Sequence, residues 1–96
     1  MPPRLAPKAE QDLVEIYLES AHRFGLNQAD RYAARLSACF DLLASQPTMA
    51  RERTEIVPPV RAHFHGSHVI VYRIESDDIV IVRVLHEHRD WANELR

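Results

Sequence analysis

The sequence predicts an α+β domain in which two helices cover one face of an antiparallel sheet. Apolar residues recur at helical spacing through the first half of the chain, with one interruption near Gly25. Alternating and β-branched runs then fill residues 60–85, which is typical of consecutive strands. The predicted order is a short strand, two helices and three strands, in a single domain of residues 1–96.

The first strand is short, at residues 4–6, because prolines bound it on both sides. Residues 9–24 carry an apolar stripe at helical spacing, and Gly25 is expected to end this helix as a C-terminal cap. Asn27 is expected to cap the second helix, which ends before Pro47. Since only residues 25–27 separate the two helices, they must lie antiparallel.

A loop at residues 47–59 leads into the strands. Residues 60–65 alternate strictly between apolar and polar, Gly66 and Ser67 suit a tight turn, and residues 68–74 form the next strand. Residues 75–78 make a second turn, after which the β-branched run at residues 79–85 indicates the buried centre of the sheet. The result is an antiparallel meander that the N-terminal strand joins.

The two turns fix a register, and alternation along each strand then divides the sheet into two faces. One face is apolar and is predicted to pack against the helices. It comprises Val60, Ala62, Phe64, Val69, Val71, Val80, Val82 and Val84. The opposite face is predicted to be polar at its centre. It comprises Arg61, His63, His65, His68, Ile70, Tyr72, Ile81, Arg83 and Leu85.

Composition and charge narrow the class of protein. Hydrophobic residues make up 46% of the chain, which fits a globular protein. The formal net charge is −2, whereas proteins that grip nucleic acid phosphates normally carry a basic excess. No apolar run reaches membrane-spanning length, and no basic-then-apolar leader begins the chain. We therefore expect a cytoplasmic protein that does not associate with a membrane.

Two segments carry a family signature. The C-terminal segment is Arg83-Val84-Leu85-His86, followed by Arg89-Asp90 and then Leu95. The N-terminal segment is LAPKAEQDL at residues 5–13, followed by Ile16. Together with the order of elements, these segments resemble the ParE-type toxins of the RelE/ParE superfamily of bacterial toxin–antitoxin systems. The resemblance spans nearly the whole chain.

The resemblance implies a RelE/ParE-like β-α-α-β-β-β fold and a toxin that binds DNA gyrase, traps its cleavage complex and arrests growth. It also implies a ParD-like antitoxin that folds onto the toxin in a hetero-oligomer, such as a heterotetramer, and that makes the operator DNA contacts for the pair. On this interpretation the chain is not an enzyme and needs no cofactor. The residues expected to contact the target are Arg83, His86, Arg89, Asp90, Trp91 and Leu95.

Each predicted helix also carries a minor apolar stripe. Such a stripe either packs inside the protein or stays exposed for a partner. Given the resemblance, the second option is a surface for the antitoxin. Its residues are Val14, Tyr17, Leu18 and Leu42.

Two alternatives stay open for the polar sheet face. One is a RelE-like, ribosome-dependent mRNA endonuclease without a metal, in which an Arg stabilises phosphorane-like charge and a His or Tyr moves the proton of the ribose 2′-OH. Its candidate residues are Arg61, His63, Tyr72, Arg83 and His86. The other is a divalent metal site at His63, His65 and His68, since two residues on one strand and the residue opposite can converge on zinc.

Overall fold

The computed structural model describes residues 3–95, and it has the predicted α+β architecture. The elements in chain order are β1 (Arg4–Leu5), α1 (Pro7–Phe24), α2 (Leu26–Ser45), β2 (Glu52–Arg53), β3 (Val60–His65), β4 (His68–Glu75), β5 (Asp78–His86) and α3 (Trp91–Glu94). The strands lie in the order β1-β5-β4-β3-β2, with β1 parallel to β5 and the other neighbours antiparallel.

The two long helices form an antiparallel hairpin that a single glycine joins. Pro7 opens α1 at a position where a missing backbone N–H leaves no hydrogen bond unmade. Gly25 adopts a φ of 91°, ends α1 and is also the residue before α2. Its N–H donates to the Ala21 carbonyl at 2.9 Å, and its carbonyl accepts the Ala29 N–H at 3.1 Å. The predicted cap at Asn27 is therefore wrong, because α2 has already begun at Leu26.

Among residues 3–95, no helix combines the length and the apolar character that a membrane crossing requires.

The hairpin turn and the register between β3 and β4 are as predicted, with Phe64 opposite Val69. Gly66 has a φ of 57° at the first turn position, which suits a two-residue turn that starts with glycine. The register between β4 and β5 follows the prediction only as far as Tyr72, which pairs with Ile81. A β-bulge then shifts the pairing by one residue and moves the following side chains to the other face.

The helices cover the sheet face that the sequence assigned to the polar side, so the predicted assignment of the two faces is wrong. The cluster beneath the helices consists of Ala9, Leu36, Phe40, Leu43, Ile70, Tyr72, Ile79, Ile81 and Val84. The cluster on the other face consists of Ile56, Val60, Val69, Val71 and Leu85, with Ala62, Val82, Trp91, Ala92 and Leu95 packed against it. Because the central strands are buried on both faces, alternation alone could not show which face receives the helices.

The loop before β3 contains one element that the sequence did not predict. β2 consists of two residues, Glu52 and Arg53, which pair with Arg61 and Val60 of β3. A two-residue strand is too short to show an alternating pattern. Near the end of this loop, the Ile56 side chain packs in the second hydrophobic cluster and is 2% exposed.

Candidate functional site

A buried ion pair joins the first helix to the central strand. Asp12 on α1 accepts two hydrogen bonds from the guanidinium of Arg83 on β5, at 2.8 Å from Nε and 3.0 Å from Nη2. The same carboxylate accepts the backbone N–H of Val84 at 3.0 Å. The side chains are 8% exposed for Asp12 and 15% for Arg83. The hydrogen bonds to Asp12 raise the pKa of Arg83, so the guanidinium stays charged and fixed.

The ion-paired and largely buried position of Arg83 therefore differs from the exposed position expected for a residue that contacts the target. Its charge is neutralised inside the fold, where it holds α1 against the strand that leads to the tail. Asp12 was not among the functional residues predicted from the sequence, although its position in the helical pattern could have identified it. It lies on the same helical stripe as Ala9, Leu13 and Ile16, and a carboxylate on an apolar stripe needs a buried partner.

The chain reverses direction directly after β5. The Glu87 N–H donates to the Ser67 carbonyl at 2.9 Å, and the Arg89 N–H donates to the His86 carbonyl at 3.1 Å. The Arg89 side chain then reaches into α3, where Nε donates to Glu94 Oε1 at 3.0 Å. These contacts hold an exposed polar turn at the end of a buried strand.

Trp91 anchors the tail on the sheet face opposite the helices. Together with Ala92 and Leu95 it packs on the second hydrophobic cluster. The Trp91 ring meets the Phe64 ring edge-on, with centroids 6.4 Å apart, and the Arg53 guanidinium lies 5.4 Å from the Trp91 centroid. The short helix α3 is thus fixed by aromatic and cation–π contacts to β3 and β2.

The structure separates the residues expected to contact the target into two groups. One group is exposed or half-buried at the end of β5 and comprises His86, Arg89 and Asp90. The other group supports that end from within the fold and comprises Arg83, Trp91 and Leu95.

The residues of the alternative nuclease site do not meet on an open surface. Tyr72 is 0% exposed, and its hydroxyl donates to the Pro47 carbonyl at 2.8 Å. Burial raises the pKa of Tyr72, which keeps the phenol protonated. Arg61 Nη1 donates to the Ala50 carbonyl at 2.6 Å. Both side chains fasten the loop after α2 to the helix-covered face.

His86, another residue of that alternative, lies far from Tyr72. It pairs with His68, which is four residues before Tyr72 on β4, so the two positions are about 13 Å apart along the strand. His63 is half-buried on β3, opposite Ile70. The set is therefore spread along the sheet rather than gathered around one reacting atom.

The three histidines of the candidate metal site also face different partners. His65 Nδ1 lies 3.3 Å from the Cys39 sulfur, and His68 Nδ1 lies 2.6 Å from the Tyr32 hydroxyl. Within residues 3–95, no three His, Cys, Asp or Glu side chains are grouped to hold a metal ion. The rings of His65 and His68 therefore contact α2 in this structure and do not converge with His63.

The apolar residues expected to meet an antitoxin do not form one patch. Val14 and Leu18 are one helical turn apart on α1 and are 58% and 61% exposed. Tyr17 is half-buried, and its hydroxyl donates to Asp30 Oδ1 across the hairpin at 2.6 Å. Leu42, at 41% exposed, follows the seam residue Ser37 by five positions, so it lies about 140° around α2 from the seam with α1.

The tip of the hairpin exposes Phe24, which the sequence placed on the apolar stripe of the first helix, and also Leu26. Phe24 and Leu26 flank Gly25 and are 61% and 65% exposed. The helical stripe continues to Phe24 in the sequence, but the α1 residues that pack on the core beneath the helices end at Ile16. Periodicity gives the face of a helix and not the point where its neighbour stops.

The architecture just described is shared with a solved toxin–antitoxin structure. The structure is described as the chromosomal ParDE TA system from P. aeruginosa, and it superposes with a TM-score of 0.75 at 22% identity, over 90% of this chain and 95% of that chain. At this identity the similarity establishes the fold. The chain therefore has the α+β fold found in a ParDE system.

Sequence comparison then gives the family. The family model for the ParE toxin of the type II toxin–antitoxin system parDE matches residues 4–91. Toxin ParE1 of Mycobacterium tuberculosis is 36% identical over 92 residues, covering 95% of this chain and 94% of that protein. Toxin ParE1 of Caulobacter vibrioides is 36% identical over 86 residues, covering 90% and 88%. The chain belongs to the ParE toxin family of type II toxin–antitoxin systems.

Proposed function

We propose that this ParE toxin acts by binding DNA gyrase and trapping its cleavage complex, and that it makes no covalent change itself. Membership of the ParE family supports gyrase as the target. The C-terminal motif of this chain resembles that of the ParE-type toxins, which are gyrase poisons. The placement of Tyr72 supports a non-catalytic action, since a buried phenol that donates to a backbone carbonyl is poorly placed to move a substrate proton. The proposed action takes place in the bacterial cytoplasm, where gyrase and DNA are found.

We place the target contact at the polar turn after β5. His86, Arg89 and Asp90 are accessible there, and the backbone that carries them is fixed. Arg83 fixes this segment through α1, while Trp91 and Leu95 fix it through the opposite face. A rigid frame favours binding, because less conformational entropy is lost when the partner arrives.

We propose that a ParD-like antitoxin covers the exposed apolar stripe of α1. The single observation that carries this proposal is the exposure of Val14 and Leu18, at 58% and 61%, on the outer side of a helix whose inner side is packed. Burying an apolar side chain of this size contributes roughly 1.5–3 kcal/mol. A solved structure described as a ParDE system shares this fold, which supports a partner of this kind. Because Leu42 lies on another side of the hairpin, an antitoxin that also reaches it must wrap around α2.

We further propose that operator DNA is contacted through the antitoxin in a hetero-oligomer such as a heterotetramer. A formal net charge of −2 supports this division, because DNA binding depends on neutralising phosphates.

Expression of the chain alone in a bacterial host tests the proposed target. We expect chromosome breaks that require gyrase within minutes, while protein synthesis continues. With purified components, we expect the chain to increase the linear DNA released from gyrase by detergent. An immediate stop in translation with cut mRNA would contradict the proposal and favour the RelE-like alternative.

A further inference from the structure

A pocket with cationic walls lies where the tip of the helical hairpin meets the turn between β3 and β4. Its volume is about 150 Å³, and Arg23, Phe24, Arg35, His68 and His86 are among the residues that line it. About 10–15 Å³ of such volume is enough for one water molecule, so the pocket can hold a small ligand. The pocket shares His86 with the proposed target surface, but its binding of a small ligand can be measured without gyrase.

The two arginines give the pocket a positive charge. Arg35 forms no ion pair within residues 3–95, so its guanidinium is available to a ligand. Arg23 lies 3.6 Å from the carboxylate of Glu19, with both side chains more than 60% exposed. An exposed ion pair of this kind is weak, so it can exchange for a ligand. Two guanidiniums against one carboxylate leave a net charge of +1 on these walls.

Of the two histidines that line the pocket, His86 adds a donor. His86 Nδ1 accepts the His88 N–H at 3.2 Å, so the neutral ring carries its proton on Nε2 and donates from there. His68 Nδ1 is bonded to the Tyr32 hydroxyl at 2.6 Å, and that hydroxyl donates to the His65 carbonyl at 3.3 Å. The hydrogen bonds of the His68 ring within the described part of the chain are made by Nδ1, and Nε2 makes none. Because the Tyr32 hydroxyl donates to the His65 carbonyl, Nδ1 carries the proton of the neutral His68 ring and Nε2 is an acceptor, so His86 is the imidazole donor of the pocket.

We propose that this pocket binds a phosphate monoester, with the phosphate between Arg23, Arg35 and His86 and the organic group against Phe24. The donors come from both helices and from β5, so they approach from several directions. This arrangement matches a tetrahedral oxyanion, whose oxygens point in several directions, better than a planar carboxylate. The Phe24 ring is 61% exposed at the pocket and supplies an apolar wall for an aromatic substituent.

The test is a titration of the full-length chain, labelled with ¹⁵N at histidine, with inorganic phosphate and with phenyl phosphate at constant ionic strength and pH. We expect saturable shifts of the His68 and His86 ring resonances, and tighter binding of phenyl phosphate. Arg35→Gln is expected to weaken binding by about tenfold, the loss typical of one charge-assisted hydrogen bond. The matched control is Arg31→Gln, which removes the same charge from an exposed α2 residue that does not line the pocket.

Each other outcome overturns the proposal. Shifts that do not saturate, or an equal loss in Arg31→Gln and Arg35→Gln, would mean that phosphate meets only the general charge of the surface. Equal affinity for inorganic phosphate and phenyl phosphate would remove the organic group from the proposal. The spectra of the variants also report whether they fold, so an unfolded variant is not mistaken for lost binding. A failed test of gyrase trapping would leave these results unchanged.

Discussion

Asp12 and Arg83 stand 71 residues apart in the chain and form a two-pronged ion pair, at 2.8 and 3.0 Å, that locks α1 to β5. The pair is largely buried, and the carboxylate also accepts the Val84 N–H. The first helix is therefore tied to the strand that ends in the proposed target surface.

Asp12→Ala should destabilise the protein strongly, because it leaves the Arg83 charge buried without a partner. The expected loss is about 3–5 kcal/mol in the free energy of unfolding, measured by urea denaturation. Glu10→Ala is the matched control, since Glu10 is an exposed carboxylate on the same helix. A loss below 1 kcal/mol for Asp12→Ala would show that the pair contributes no more than a surface ion pair does.

The substitution Tyr72→Phe tests whether the Tyr72 hydroxyl has a structural or a catalytic role. Removing the hydroxyl deletes its hydrogen bond to Pro47, so we expect a loss of about 0.5–1.5 kcal/mol in stability. Growth arrest should persist when the variant is expressed at the same level. Abolished toxicity in a variant that still folds would point to proton transfer by this residue.

Leu18→Asp should uncouple neutralisation from toxicity. A charge in the middle of the exposed α1 stripe opposes burial by a partner, while the free toxin already exposes this position to water. We expect co-expressed antitoxin to bind at least tenfold more weakly, as measured by calorimetry on the purified chains. Val57→Asp is the control, since Val57 is 82% exposed and lies outside the helical hairpin. Equal effects of the two substitutions would exclude α1 as the antitoxin surface.

Asp90→Ala should reduce gyrase trapping with little effect on folding. Asp90 is exposed, and its carboxylate accepts a hydrogen bond from Asn93 within the same turn. We expect a change in stability within about 0.5 kcal/mol, as for surface substitutions in general, and a clear drop in cleavage complexes in vitro. Asp41→Ala, on the exposed side of α2, is the control. Full trapping activity by Asp90→Ala would remove this residue from the target surface.

His68 should make stability depend on pH. Burial and then the nearby His86 lower the pKa of His68, so the folded state binds a proton less readily than the unfolded state. The other titratable groups that act on it are His65, Glu19 and Glu87, and Tyr32 is bonded to it. This contribution to stability is present above the unfolded pKa near 6.5 and is lost as pH falls below it.

The measurement for His68 is the urea midpoint between pH 8 and pH 5, compared with that of His68→Gln. The decline towards low pH should be smaller in the variant than in the parent chain. His22→Gln is the matched control, because His22 is exposed on α1. Identical pH profiles for His68→Gln and the parent would contradict a lowered His68 pKa as the cause.

Local patterns in the sequence were sufficient for the elements but not for their packing. The helical stripes and the Gly66 turn depend on neighbouring residues, and the structure confirms both. The burial of Tyr72 beneath the helices depended on which face of the sheet the helices cover. Because the central strands are apolar on both faces, the sequence is compatible with helices on either face. The bulge between Val71 and Tyr72 and the partner of Asp12 both depend on pairing between distant segments, which no local period encodes.

The same difference between local patterns and long-range contacts applies to the proposed binding surfaces. The sequence left open whether the stripe with Val14 and Leu18 packs inside or stays exposed, and the structure exposes both residues. The internal role of Arg83 could not follow from its motif, because its partner stands near the other end of the chain. The pocket between Arg35 and His86 likewise brings together elements that are separate in sequence.

The contact between Asp12 and the Val84 amide also protects an edge of the sheet. Among the residues that the structure describes, β1 pairs with β5 at Val80 and Ile81, so β5 continues past the end of β1. A free N–H at such an edge can pair with a strand from another molecule and start aggregation. Here the Asp12 carboxylate accepts the hydrogen bond of the Val84 N–H. This stretch of β5 is therefore less able to pair with a second copy of the chain as the toxin accumulates.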